Sequence, residues 1–286
     1  MSEKNNSLDL IPERKKLFGI TIDELLSELL NFKNKTLIIF DLETLGLHPS
    51  FEYEQILEIA ASAIDGDTLE THSSVDYKVK LSDSSTEFLD DPESIQRYSW
   101  EHRQKRRGKS AITDPHEIIK MTGYLENKSE SHKEKNALKL FLEFVSEFND
   151  PILVAHNSEF DLKYINTRCK MYGISVPMFN VLDTLKISKF FFVPLLNSYT
   201  SNEIKNIKKI LIKSSGHISS RLGDLANGFQ VNADNWHSAS SDTIILKEVL
   251  FKMISFLEKH KWVDIKDAQR DSINKTLKIR KRNHKR

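Results

Sequence analysis

Two acidic residues that could bind a metal ion follow an apolar run near the start of the chain. In the segment TLIIFDLETLG, Asp41 and Glu43 are two residues apart, so both side chains point to one face of a β-strand. Adjacent carboxylates repel each other, and a divalent cation relieves this repulsion. An all-oxygen ligand set suits Mg²⁺ or Mn²⁺ better than Zn²⁺. Taken alone, however, such a pair is more typical of an ordinary polar strand end.

A third acidic residue lies in the segment SEFD, after a second apolar run, ILVAHN. The spacing of Ser158 and Asp161 fits a capping box, with Ser158 as the N-cap of a helix and Asp161 at position N3. For this segment alone, the capping interpretation is favoured. An aspartate in the first turn of a helix also points toward the strand ends, so the same position is compatible with a metal ligand.

The segment WHSASSD places a histidine five residues before an aspartate, with His237 at a helix entry and Asp242 about one turn inside. An isolated histidine is more often a structural or surface residue. Beside several carboxylates, its pKa suits the removal of a proton from water at neutral pH. Two cations could then activate that water and stabilise the leaving oxygen of a phosphodiester. The candidate ligands are Asp41, Glu43, Asp161 and Asp242, and the cations are Mg²⁺ or Mn²⁺.

The elements that position these residues follow from the hydrophobic pattern. Strands are predicted over 35–43, 54–65, 71–81 and 152–157. Helices are predicted over 22–32, 115–124, 134–148, 158–172, 202–213, 221–229 and 238–260, with Gly173 in the C′ position after the fourth of them. The first three strands are joined by short turns and form an antiparallel start. Strands followed by helices come next, so the pattern predicts a mixed α/β sheet. The stretch 82–115 shows no clean periodicity, and 188–220 is predicted to be a connection with one amphipathic helix.

Composition limits the class of protein. A chain of 286 residues with a formal net charge of +1 can form one large α/β domain, and its overall charge does not indicate nucleic-acid binding. The single cysteine, Cys169, excludes an internal disulfide and is predicted to be a buried thiol in a reducing compartment. The polar N-terminus does not resemble a secretory signal, and the apolar run 190–196 is too short to span a bilayer. We therefore expect a cytoplasmic protein without a membrane partner, in the host cytoplasm if the chain is phage-encoded.

Positive charge is concentrated locally in two segments. In the segment 97–109, basic residues alternate with Tyr98 and Trp100, a pattern that could track a phosphate backbone and stack on bases. A solvated loop explains this segment equally well. The candidate backbone contacts are Arg103, Lys105, Arg106 and Arg107. The basic tail from Lys275 is interpreted as a flexible arm that gives nonspecific electrostatic affinity.

Together, the motifs FDLETLG, AHNSEFD and HSASSD resemble the three motifs of DnaQ-like 3′→5′ exonucleases, in their DEDDh branch. The segments ILEIAA, VLDTLKIS and RLGDLANGFQV lie where that family has similar segments, and the resemblance covers about 34–260. It implies a ribonuclease H-like fold, α/β with a mixed five-stranded sheet flanked by helices. It also implies that the four carboxylates bind two divalent cations and that His237 is the general base. Ser238 occupies the position of the tyrosine of the sister branch, which excludes that branch.

The resemblance further implies contacts with the 3′-terminal nucleotide, made in part by backbone amides and in part by side-chain packing. The implied contact residues are Thr44, Leu45, His156, Asn157 and Phe160, with Phe160 as a base-packing surface. The family often has threonine where this chain has Leu45. This difference would alter how the side chain at this position packs against the terminal base. A common glycine-containing pair is replaced by Ala60 and Ala61.

The expected activity is hydrolysis of single-stranded nucleic acid from its 3′ end, releasing 5′-mononucleotides. DNA is preferred over RNA because the chain exceeds what a minimal oligoribonucleotide-degrading member needs. A 3′→5′ exoribonuclease of the same fold is the alternative, and a non-catalytic module associated with a polymerase is a weaker one. The expected organisation is an N-terminal extension with a short amphipathic helix (1–33), an exonuclease domain (34–260) and a basic tail (261–286). The oligomeric state stays open.

Overall fold

The computed structural model describes residues 31–106, 114–121, 131–198, 201–233 and 238–260, with the backbone alone for 101–106 and 121. The strands are β1 (Thr36–Thr44), β2 (Ile56–Asp65), β3 (Thr71–Lys78), β4 (Ile152–Ala155) and β5 (Asn180–Asp183). The helices of the first half are α1 (Asp83–Asp90), α2 (Pro92–Arg106), α3 (Pro115–Met121) and α4 (Glu134–Ser146). The later helices are α5 (Ser158–Met171), α6 (Thr184–Ile187), α7 (Val193–Ser198), α8 (Asn202–Leu211), α9 (Leu222–Gly228) and α10 (Ala239–Lys259), with a π-helix (Ser188–Phe192) between α6 and α7.

The five strands form one mixed sheet in the order β3-β2-β1-β4-β5. Strands β1, β2 and β3 pair antiparallel, whereas β4 and β5 run parallel to β1. This topology confirms the predicted fold class and the predicted antiparallel start. The strand and helix boundaries differ from the predicted ones by a few residues, which is the usual uncertainty at element ends.

Both faces of the central strand are covered, which explains its nearly continuous apolar sequence. Leu37 and Ile39 belong to a buried cluster with α10, and Ile38 and Phe40 belong to a second cluster with α4 and α5. Cys169 is fully buried in the second cluster, as predicted. Because side chains alternate along a strand, the odd-numbered residues of β1 face α10 and the even-numbered ones face α4 and α5.

Strand β1 is longer than the neighbouring β4. Pairing between the two is confined to residues 37–39 of β1, because β4 ends at Ala155. The last residues of β1 therefore have a partner strand only on the β2 side, and a bulge lies between Glu43 and Thr44. The end of β1 is thus open toward the N-terminus of α5.

Two regions are more helical than the sequence predicted. The stretch 82–115 contains α1, α2 and the start of α3 rather than irregular chain. The chain is also helical from Thr184 to Ser198. The sequence predicted only one helix in the stretch 188–220, at 202–213. Phe191 and Phe192 of the π-helix are fully buried, so this segment belongs to the core. The predicted helix 22–32 and the basic tail lie almost entirely outside the described residues, and no helix within the described ranges is long and apolar enough to cross a membrane.

A buried ion pair connects α4, α5, β2 and the loop 45–55. The Glu134 carboxylate accepts hydrogen bonds from Arg168 Nε at 2.9 Å, the Ile56 amide at 2.8 Å and the Tyr172 hydroxyl at 2.7 Å. Arg168 Nη1 donates to the Phe51 carbonyl at 3.0 Å. The two charged side chains are only 3% and 4% exposed, so each depends on the other for its charge compensation.

Arg168→Met should therefore leave Glu134 buried without its cation and lower the free energy of unfolding by about 3–5 kcal/mol. Urea denaturation measures this change. Lys259→Met is a matched control, because it breaks the exposed ion pair with Glu203 and is expected to change stability little. Equal effects of the two substitutions would contradict a structural role for the buried pair.

Candidate metal centre

Asp41 and Glu43 occupy odd-numbered positions at the end of β1, so both side chains face α10. That helix carries Asp242 in its first turn. The three half-buried carboxylates each have an oxygen within 4.8 Å of an oxygen of the other two. A set of three oxygen donors at this spacing fits one divalent cation of the Mg²⁺ or Mn²⁺ type. The structure thus brings together residues that are about two hundred positions apart in the sequence.

Asp161 approaches the same strand end from the other side of the sheet. Helix α5 packs on the α4 side, and its first turn lies at the open edge of β1, where the Leu42 amide donates to the Asp161 carboxylate. Asp161 is only 4% exposed. It lies outside the three-residue group just described, but close enough to Asp41 for repulsion between the two to raise the pKa of Asp41.

The four carboxylates disfavour one another's ionised state. Burial first, and then repulsion from Asp161, Glu43 and Asp242, raise the pKa of Asp41 well above its ordinary value. Burial and the neighbouring carboxylates raise the pKa of Glu43 to about 8. Burial is also the main cause of the raised pKa of Asp161. A site that concentrates buried negative charge in this way binds a proton or a cation.

The N-terminus of α5 is fixed by the fully buried Asp183, at the end of β5. Its Oδ2 accepts hydrogen bonds from the Ser158 amide at 3.1 Å and the Ser158 hydroxyl at 2.9 Å, and its Oδ1 accepts from the Asn157 amide at 3.2 Å. Lys186 Nζ lies 3.9 Å from the same carboxylate.

This arrangement corrects the capping-box interpretation. Asn157, with φ of 78°, holds the N-cap position and makes no side-chain capping bond. Ser158 is the first residue of the helix, and its hydroxyl donates to Asp183 instead of accepting from the amide of Asp161. Asp183, distant in sequence, supplies the acceptor that a local cap would supply. The side chain of Asp161 is therefore directed to β1.

The N-terminus of α10 is fixed in a similar way by Glu58 of β2. Glu58 lies opposite Glu43 in the strand register and is 2% exposed. Its Oε1 accepts from the Ser240 amide at 3.2 Å and from Lys78 Nζ at 2.7 Å. Each helix that carries a carboxylate of the centre in its first turn is thus held by a second, buried carboxylate with a lysine beside it.

His156 connects three segments next to the centre. Its Nε2 donates to the Ser220 carbonyl at 2.9 Å, and its Nδ1 lies 2.8 Å from the Thr184 hydroxyl. Burial lowers the pKa of His156 to about 4, so the ring is neutral near pH 7. Both ring nitrogens are engaged by protein groups, which indicates a structural connection between β4, α6 and the segment before α9.

The other predicted nucleotide contacts differ in accessibility. Leu45 is fully buried with Leu57 and Leu89, and its amide donates to the Gln55 carbonyl at 2.9 Å. Its side chain and its amide are thus both engaged within the protein, and the predicted contact of Leu45 with a nucleotide stays a prediction. Thr44 is buried and donates to the Gly46 carbonyl.

Asn157 and Phe160 are more accessible. Phe160 is half-buried, with its ring 5.1 Å from that of Tyr164. Asn157 is exposed and lines a small surface cavity; the other lining residues are Leu185, Lys186, Lys189 and Phe190.

Some predicted site residues lie outside the described part of the chain. His237 and Arg107 are among these, and the side chains of Arg103, Lys105 and Arg106 are also outside it. Conversely, Glu58 and Asp183 have roles that the sequence did not predict. The available signal was a charged residue inside the apolar segments ILEIAA and VLDTLKIS, because a buried charge requires a specific partner.

The strand order, the antiparallel start and the acidic cluster at the end of the central strand define a ribonuclease H-like fold with an acidic metal-binding site. Residues 18–212 match the family described as DNA polymerase family B, exonuclease domain. The match covers more than half of the chain, which therefore belongs to this exonuclease-domain family. This membership confirms the resemblance to 3′→5′ exonucleases that the motifs indicated.

Individual relatives are more distant. The chain is 25% identical over 222 residues to the PolC-type DNA polymerase III of Halalkalibacterium halodurans, covering 76% of this chain and 11% of that protein. It is 25% identical over 246 residues to the PolC-type enzyme of Streptococcus sanguinis, covering 86% and 13%. The chain thus spans about a tenth of the length of these relatives.

Among solved structures, E. coli exonuclease I in complex with a dT13 oligonucleotide superposes with a TM-score of 0.56 and 14% identity. The superposition covers 80% of this chain and 42% of that one. At this identity the likeness establishes the fold, and it agrees with the ribonuclease H-like sheet described above.

The raised pKa of Glu43 predicts that the cation-free protein loses stability as the pH rises. Between the ordinary pKa of 4.5 and about 8, Glu43 is protonated in the folded state and ionised in the unfolded state. The folded state binds more protons in this interval, so the free energy of unfolding falls with increasing pH. Urea unfolding in EDTA from about pH 5 to about pH 8 measures the slope, which excess Mg²⁺ or Glu43→Gln should reduce. Equal pH slopes in wild-type protein and in Glu43→Gln would contradict the raised pKa of Glu43.

Asp183→Asn is expected to weaken divalent-cation binding by about tenfold, because the N-terminus of α5 and with it Asp161 would lose their fixed position. Calorimetric titration with Mn²⁺ measures the affinity. Asp224→Asn is the matched control: Asp224 pairs with Lys213 and Ser219, and its loss should leave the affinity unchanged. Unchanged affinity in both variants would show that Asp183 does not position the centre.

Proposed function

We propose that this chain hydrolyses phosphodiester bonds of single-stranded nucleic acid from the 3′ end and releases 5′-mononucleotides. The observation that carries the proposal is the convergence of Asp41, Glu43 and Asp242, with Asp161 beside them, at one strand end in an exonuclease-family fold. A cluster of buried carboxylates is electrostatically unfavourable without a cation. Its presence therefore supports a catalytic centre rather than a non-catalytic binding module.

In this proposal, the four carboxylates hold two divalent cations, Mg²⁺ or Mn²⁺. When bound, such cations act as Lewis acids that polarise the phosphodiester, favour ionisation of the attacking water and stabilise the leaving 3′ oxygen. The protein's contribution is to fix the ligands: Asp41 and Glu43 by β1, Asp161 by the anchored α5, and Asp242 by the anchored α10.

His237 is proposed to accept the proton of the attacking water. In the sequence it lies five residues before Asp242 and directly before Ser238, the N-cap of α10. His156 is excluded from this role, because burial lowers its pKa to about 4 and protein groups engage both nitrogens. Ser238, at the position where the sister branch has tyrosine, favours the histidine-dependent branch.

The 3′-terminal nucleotide is proposed to lie over the first turn of α5. The exposed Asn157 and half-buried Phe160 flank Asp161 on that turn, and the end of β1 at Thr44 forms the other side. His156 is proposed to act indirectly, by holding the segments around this turn. Arg103, Lys105, Arg106 and Arg107 remain proposed contacts with the phosphate backbone. The proposed organisation is an extension (1–33), the exonuclease domain (34–260) and a basic tail (261–286).

DNA is proposed as the preferred substrate. The matching family is named for DNA polymerases, and the curated relatives are PolC-type DNA polymerases. An exoribonuclease of the same fold is the second candidate, since the carboxylate centre itself acts on a phosphodiester of either sugar. The distinction depends on whether the cleft accommodates a 2′-hydroxyl.

Wild-type protein with Mg²⁺ should convert 5′-labelled single-stranded DNA into a ladder that shortens from the 3′ end, and should do so faster than with RNA of the same sequence. Asp41→Asn and Asp242→Asn should abolish the ladder because they remove cation ligands. His237→Ala should lower kcat by about 10²–10⁴-fold, the usual contribution of a general base. Gel analysis of time courses measures each rate.

The controls separate the roles. EDTA should stop the reaction, and Mn²⁺ titration of His237→Ala should give near wild-type affinity, because a base is not a ligand. Ladder formation that survives EDTA or Asp41→Asn would refute the proposal. Faster degradation of RNA would select the second candidate, and loss of Mn²⁺ binding in His237→Ala would make His237 a ligand.

A further inference from the structure

A column of stacked aromatic rings stands beside the end of β1. The Phe51 and Tyr53 rings are 5.4 Å apart and nearly parallel at 10°, and the Tyr53 and Phe88 rings are 4.2 Å apart at 17°. Tyr98 closes the inner end, with its ring edge-on to Phe88 at 5.6 Å. We call Phe51, Tyr53 and Phe88 the aromatic column. Its three rings have the near-parallel orientation that stacked bases also adopt.

The outer end of the aromatic column is open to solvent. Phe51 is 46% exposed, and the His48 ring packs edge-on against it at 5.7 Å. A large apolar ring at the surface, supported from behind by two further rings, is typical of a contact surface. Trp100, on the same helix as Tyr98, is 60% exposed. Tyr98 itself is 7% exposed, which corrects the expectation that it stacks on bases.

The protein holds the outer ring firmly. Phe51 belongs to the loop 45–55, whose two ends are joined by the hydrogen bond from the Leu45 amide to the Gln55 carbonyl. Arg168, fixed by its buried pair with Glu134, donates to the Phe51 carbonyl at 3.0 Å. The buried Glu54 accepts the His48 amide inside the loop. A ring that is fixed before binding loses little conformational entropy when a partner stacks on it.

The aromatic column follows the candidate metal centre along the chain, and the helix that closes its inner end carries several basic residues. The loop 45–55 begins directly after Thr44, so it leaves β1 one residue beyond the ligand Glu43. Helix α2, which supplies Tyr98, presents the exposed Arg97 and also contains Arg103, Lys105 and Arg106. The same helix carries the exposed Arg97 and the exposed Trp100, and a single strand binds with its phosphates on basic residues and its bases on aromatic rings.

We propose that the exposed ring of Phe51 is a stacking platform for a base of the single-stranded substrate, upstream of the nucleotide that is removed. The inference rests on the proposed function for its ligand, but it assigns a binding residue outside the metal centre. The occupant is an unpaired base, because a base within a duplex has both faces covered by its neighbours. Stacking on a ring face is tolerant of sequence, so the platform would contribute affinity for any unpaired base.

The test compares oligonucleotide binding by full-length variants in an Asp41→Asn background, which prevents hydrolysis during the measurement. Phe51→Ala should weaken binding of a 5′-fluorescein-labelled oligodeoxynucleotide by about 5–10-fold, the lower end of the range for one base–aromatic stack, and Phe51→Trp should restore it. Met178→Ala is the matched control, since Met178 is fully exposed on another part of the surface. Fluorescence anisotropy measures Kd, and circular dichroism confirms that each variant is folded.

A second arm identifies the base contact. A series of oligonucleotides carries one abasic site each, at successive positions near the 3′ end. For the protein with Phe51, the abasic site should weaken binding at one of these positions. With Phe51→Ala, that position-dependent loss of affinity should disappear. Unchanged affinity in Phe51→Ala, or a penalty that persists in it, would overturn the platform. If wild-type protein still degrades DNA in that case, the proposed function stands without the platform. If wild-type protein neither binds nor degrades the strand, both are refuted.

Discussion

Repulsion among buried carboxylates is the constraint on which the rest of this structure depends. Four acidic side chains converge on the end of β1, and burial together with mutual repulsion raises the pKa of Asp41, Glu43 and Asp161. Such an arrangement opposes folding unless other contacts offset it. The apolar clusters on both faces of the sheet provide the packing that holds β1, α5 and α10 in place. The fold thus maintains a site that favours a bound proton or cation.

Two further carboxylates make this convergence possible. Asp183 and Glu58 accept the N-terminal amides of α5 and α10, and each lies next to a lysine. Helix N-termini carry partial positive charge, so Asp183 and Glu58 gain favourable contacts with the amides that they accept. The same chemical group therefore has two functions within one site. Asp41, Glu43, Asp161 and Asp242 face the candidate cation site, whereas Glu58 and Asp183 hold the helices.

Much of the architecture could be predicted from the sequence. Continuous apolar runs identified β1 and β2, and the two-residue spacing of Asp41 and Glu43 placed both on one face. Helix α2 was not predicted because its mostly polar sequence has no clear helical period. The helical segment after β5 was not predicted because a helix that is buried on most sides is apolar all round and shows no amphipathic period. The roles of Glu58 and Asp183 could not be predicted from the neighbouring sequence. They depend on partners 182 and 25 residues away, Ser240 and Ser158, and on a register that only the assembled sheet defines.

The short length of β4 has a consequence for how the centre tolerates mutation. Because β4 ends at Ala155, the Leu42 amide is available at the edge of β1, and it donates to Asp161. This donor belongs to the main chain, so every residue type except proline retains it at position 42. One contact of Asp161, the most buried of the four carboxylates, is therefore encoded by strand length instead of by residue identity. It would persist through sequence drift that erases most side-chain similarity, provided that the two strands keep their relative lengths.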